Sequence, residues 1–143
     1  MNRSILYITV LMLAACNSSQ RRDQEEEKQL QTKLLKMHDH IMPEMETVVH
    51  KEAELQKMLR AIRSPENPAA DTIALAAPVH AALSGLKKAD DSMMDWMDGL
   101  NLDFQQKTHK QIMTYLSNEY RKVGHVDSTV SAALAASARL THP

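Results

Sequence analysis

Three apolar stripes run along this chain, each with residues spaced alternately by threes and fours. The first is Leu30, Leu34, Met37, Ile41, Met45, Val48, Leu55, Leu59 and Ile62, interrupted only by Glu52. The second is Leu75, Val79, Ala82, Leu86, Ala89, Met93, Trp96 and Leu100. The third is Ile112, Leu116, Val123, Val126, Val130, Ala133 and Leu140, with Glu119 and Ser137 as polar exceptions. That spacing is one face of a helix of period 3.6. No segment alternates apolar and polar residues as a half-buried strand does.

The stripes predict a helix over 25–62, a second capped by Asp71, and a third capped by Asp103. Pro43 and Pro78 fall inside the pattern. An interior proline removes a backbone donor and strands the carbonyl four residues earlier, so a kink or break is expected at Pro43, and the second helix can instead begin near Ala77. Ser64-Pro65-Glu66-Asn67-Pro68 reads as the first loop, and Gly99 with Asn101 as the second stop. Helices joined by short loops fold back on their neighbours. The expected architecture is all-α: an elongated antiparallel three-helix bundle, close to a coiled coil, over residues 25–143.

A different signal precedes the stripes. Arg3 is followed by an apolar run from Ile5 to Ala15, too short for the ~20 residues that span a bilayer. It reads as a signal peptide over 1–15. The run ends Leu13-Ala14-Ala15-Cys16, which resembles a lipobox: small residues before a cysteine whose thiol takes a diacylglycerol. Cys16 is the only cysteine, so no disulfide forms within one chain, and lipidation removes a lone thiol from an oxidising compartment. Residues 16–24 are then the lipidated cysteine and a flexible polar tether. The expected location is the cell envelope, lipid-anchored, at the outer rather than the inner membrane, with no transmembrane helix in the mature chain. The acidic run Asp23, Glu25, Glu26 and Glu27 reads either as a solvated helix start or as a surface-export signal of the kind found behind lipidated cysteines in the Bacteroidetes.

Composition narrows the function. Beyond residue 15 there are sixteen Lys and Arg against eighteen Asp and Glu, since Arg3 is the one charged residue of the leader. That balance lacks the basic stripe of a nucleic-acid binder. There is no glycine-rich phosphate loop, no Gly-x-Ser-x-Gly and no free thiol for nucleophilic work. His50, His80, His125 and His142 are scattered, and Asp90 and Asp91 point in different directions on one helix. An enzyme is not expected; a structural or partner-binding role for an envelope protein partner is.

One chemical alternative stands beside it. A first turn centred near Asn67 brings Met42 level with Ser92 and Met93, and His38 level with Trp96. A second turn near Asn101 brings His109 level with Met94. His38, Met42, Met45, Met94, Met97 and His109 then fall in neighbouring layers. Thioethers favour Cu(I) and imidazole suits copper, so the layer is a candidate copper-binding or copper-sensing site. The plainer reading is that flexible methionines fill a core short of aromatics. No cofactor other than the acyl lipid on Cys16 is otherwise expected.

Lys88-Ala89-Asp90-Asp91-Ser92-Met93-Met94-Asp95-Trp96-Met97, with Met37-His38-Asp39-His40-Ile41-Met42-Pro43 and Tyr115-Leu116-Ser117-Asn118-Glu119, resembles small Bacteroidetes lipoproteins labelled viral A-type inclusion protein-like. The resemblance implies a helical, membrane-tethered protein of unknown role, with no catalytic residues to carry over.

Overall fold

The helix-forming stripes become three helices: α1 (Arg3–Ile62), α2 (Thr72–Gly99) and α3 (His109–Thr141). The structure, a computed structural model, describes the backbone of residues 3–64 and 72–141 and the side chains of 19–64 and 74–141. The Cys16 side chain, the Asp71 cap and the Pro65–Pro68 loop therefore lie outside the described residues. Among the described residues there is no strand.

Contacts between helices fix the topology. The carboxylate of Glu27 meets His109, an added Cβ at Gly124 would lie 3.9 Å from Met37 Sδ, and Lys51 Nζ donates to Thr141 Oγ1 at 2.8 Å. Numbers rise together, so α1 and α3 run parallel. His38 lies against Trp96 and Arg63 donates to His80, so α1 and α2 run antiparallel. The molecule is an up-down-up three-helix bundle.

The core is the expected one with a single exchange. Leu34, Ile41, Val48 and Leu55 of α1, Val79, Leu86 and Met93 of α2, and Leu116, Val123 and Val130 of α3 are buried in one cluster. On α2, Leu75 turns outward and Ala76 takes its place. Both polar exceptions on α3 are buried. Ser137 Oγ donates to the Leu134 carbonyl at 2.8 Å, and Glu119 accepts from Lys122 Nζ at 2.8 Å.

Three boundaries differ from the sequence reading. Segment 16–24, expected to be a tether, lies inside α1. No glycine or proline stands between Cys16 and Glu25, and extending a formed helix costs far less than nucleating one. Pro43 and Pro78 do not break their helices. Pro43 and Asp39 are both exposed, so the carbonyl that loses its donor faces water. The third helix starts at His109, six residues beyond Asp103. Asp103 instead receives the Gln105 amide at 3.1 Å in a local turn, and its own amide donates to Asn101 Oδ1 at 2.8 Å. The working cap is a capping box, in which Thr108 N donates to Gln111 Oε1 and Gln111 N to Thr108 Oγ1. Leu100, Leu102 and Phe104 of this connection pack against the core, Phe104 edge-on to Tyr115 at 6.0 Å, and close that end of the bundle.

Gly124 sits mid-helix, where its backbone freedom serves no turn. An added Cβ meets only ordinary van der Waals contact. Gly124→Ala is expected to stabilise the fold by about 0.5–1 kcal/mol. A urea titration should show the midpoint rising with an unchanged slope.

Candidate functional site

Two places gather chemistry. The first is the outer side of the seam between α1 and α2. At its inner edge His38 meets the buried Trp96 as expected, with ring centroids 5.8 Å apart and planes tilted by 34°. His38 Nδ1–H donates to Asp39 Oδ1 at 3.1 Å, which leaves Nε2 as the lone-pair nitrogen. Met45 and Met93 are buried and fill the core, as methionine packing requires. Met42, Met94 and Met97 do not. They are 38 %, 50 % and 41 % exposed, alongside Leu35 at 37 % and Val49 at 59 %. Leu35, Met42 and Val49 follow one another at intervals of seven, so they form a second apolar row on α1 outside the core.

The candidate layer splits at His109. The connection through 100–108 carries α3 several turns beyond the register that a turn at Asn101 would impose, and Gly85 faces Ala133. His109 thus lies at the end of the bundle, away from Met94. Its Nδ1–H donates to Glu27 Oε1 at 2.9 Å, and Nε2 is 3.6 Å from Glu26 Oε2. Glu26 and Glu27 of the acidic run thus pair with His109, well inside α1 and not at its start. Among the described residues no three His, Cys, Asp or Glu side chains are placed to hold a metal ion.

The bond to Glu27 raises the His109 pKa above 6.5, and the charges of Asp23, Glu27 and Glu26 add to it. A raised folded-state value means that the folded protein favours the charged imidazolium. The stabilisation is complete below pH 6.5, the unfolded value, and is lost as pH rises through the folded value. Amide exchange around 23–30 is therefore expected to quicken as pH rises through that window, after correction for intrinsic rates. Glu27→Gln should flatten the trend.

The second place was not visible in the stripes. An open groove of about 780 Å³ lies between α2 and α3, with Trp96, Tyr115, Glu119, Lys122 and His125 along it. Only the polar exception at Glu119 hinted at it. The indole Nε1 of Trp96 is buried without a hydrogen-bond partner, as is Glu44 Oε2. Across the α1–α2 seam, burial pushes the Glu52 carboxyl above its ordinary value, and Asp90 pushes in the same direction. Among the described residues, no helix is long and apolar enough to cross a membrane. No family model, curated protein or solved structure matches this chain.

Proposed function

We propose that this protein is a lipid-anchored helical module of the cell envelope that acts by docking an amphipathic helix of another envelope protein, without catalysis. The anchor is the acyl-modified sulfur of Cys16, behind a cleaved leader of residues 1–15. The docking face is the exposed α1 row of Leu35, Met42 and Val49, flanked by Met94 and Met97 on α2.

The observation that carries the reading is the interval of seven. A row repeating every seven residues suits the seam of a partnering helix, since each knob meets a hole of matching period. From Leu35 to Val49 the row covers about 21 Å, some four turns of a docked helix. Exposed apolar side chains grouped on one face are a usual mark of an interaction surface. The resemblance of the Met37–Pro43 and Lys88–Met97 motifs to small Bacteroidetes lipoproteins supports the envelope location.

The test is recovery of partners from detergent-solubilised envelopes by quantitative mass spectrometry. Leu35→Glu with Val49→Glu should lower recovery of a discrete envelope protein by roughly tenfold or more, the loss typical of a hot spot. Ser131→Glu with Ala135→Glu, on the outer face of α3, should leave recovery unchanged. Equal recovery from both pairs overturns the docking face. Recovery of nothing but further copies of this chain replaces the partner with self-association and overturns it as well.

A further inference from the structure

The described methionines divide by environment. Packing explains Met45 and Met93. It does not explain three large thioethers turned toward solvent, because an exposed methionine on a helix fills no gap. The register of α1 against α2 brings these three to one spot.

Arg63 at the end of α1 donates to His80 of α2 at 2.9 Å, so position 80 faces α1, with Lys87 one heptad on in the same row and Asp90 one turn further on the same side. Helical direction repeats every seven residues, so Met94 continues the row of Lys87 and Met97 the row of Asp90. On α1, His38 continues the row of Glu52, and Met42 lies one turn beyond His38 on the same side. Axial position follows from the His38–Trp96 contact. Taking that contact as origin, Met94 lies ~3 Å and Met42 ~6 Å in one direction, with Met97 ~1.5 Å in the other. One imidazole and three thioethers thus share about two turns of one seam, beside the indole of Trp96.

We propose that His38, Met42, Met94 and Met97 form a binding site for a soft monovalent cation, Cu(I) in class, beside the contact of His38 with Trp96. The donor set is neutral and soft, which favours Cu(I) over Zn(II); a zinc site needs thiolates, carboxylates or several imidazoles. The bond from His38 Nδ1 to Asp39 holds the imidazole in the tautomer whose Nε2 is free to bind metal. Exposure at Met42, Met94 and Met97 leaves their torsions free to swing the sulfurs inward. Met45, buried in the core, and His109, bound to Glu27 at the bundle end, are not ligands. The site stands independently of the docking reading, although it shares Met42 with that row and Met94 and Met97 with its flank.

Trp96 is the only tryptophan, so its emission reports this site alone. The full chain, purified in mild detergent, is titrated without oxygen. The probes are Ag(I), and Cu(I) buffered by a competing chelator. Emission is expected to fall and to saturate at a single equivalent of either ion, with Zn(II) having no effect. Joint replacement by Met42→Leu, Met94→Leu and Met97→Leu should abolish the response with far-UV circular dichroism unchanged, since leucine preserves helix and bulk. Asp39→Ala should weaken binding by roughly tenfold. A wild-type response that does not saturate, or a leucine variant that binds as tightly, overturns the site. The leucine variant keeps the apolar row and so keeps docking, whereas Leu35→Glu with Val49→Glu keeps the metal response. The two readings therefore fail separately.

Discussion

Leu86→Ala is expected to destabilise the bundle by about 2–5 kcal/mol. Leu86 is fully buried at the middle of α2, and the neighbouring Gly85 faces Ala133 of α3. The loss has two parts. Removing the buried methyl and methylene groups forfeits their transfer free energy, and the cavity left behind forfeits their dispersion contacts. A rod of three helices relaxes poorly into such a void, because each helix is held by the rows above and below. Thermal unfolding should shift downward on the order of 10 °C. Val49→Ala, on the exposed row, is the matched control and should leave stability within about 0.5 kcal/mol. A loss at Leu86 no larger than at Val49 would contradict the placement of the core.

Glu119→Leu is expected to act in the opposite direction and to stabilise by about 1–3 kcal/mol. Glu119 is only 3 % exposed and occupies the buried row of α3 between Leu116 and Val123. Its partner Lys122 stands largely in solvent. The carboxylate is therefore taken out of water while the ammonium that meets it stays wet. A leucine of similar volume removes the desolvation cost and adds apolar contact. Lys122→Met should destabilise, because it leaves the buried carboxylate without its partner. Urea unfolding of the three proteins orders them directly: leucine variant, wild type, methionine variant. A buried polar residue in a helical seam can also fix register. Sedimentation of the leucine variant then shows whether the oligomeric state changes once Glu119 is gone. A fall in stability for Glu119→Leu would contradict the reading of Glu119 as a costly residue.

What the sequence disclosed, and what it hid, follows from the range of each interaction. The three-four spacing located nearly every core position, because burial along a helix is a local periodicity. It misjudged Leu75, which is exposed while Ala76 is buried, because a small shift in helix phase near an end cannot be read from side-chain type. The start of α3 was misplaced because Asp103 carries a strong capping signal that the chain spends on a turn. The true cap, Thr108-His109-Lys110-Gln111, was present as a capping-box pattern. That displacement changed tertiary pairing. His38 met Trp96 as expected because the first hairpin is nearly symmetric about its turn. His109 missed Met94 because the second connection is longer than the stop at Gly99 and Asn101 implied. Pro43 read as a kink or a break and Pro78 as a later start near Ala77, and both helices run through them because tertiary packing outweighs one lost hydrogen bond. The groove between α2 and α3 depends on which helix stands beside which, and apart from the polar exception at Glu119 no local pattern encodes that.

The proposed envelope role rests first on the proposed anchor. Cells grown with alkyne-labelled palmitate and expressing the full chain provide the most direct measurement. Label should attach to the wild-type protein, which should sediment with membranes, and Cys16→Ser should carry none. An unlabelled wild-type protein, or equal label on the serine variant, contradicts the account.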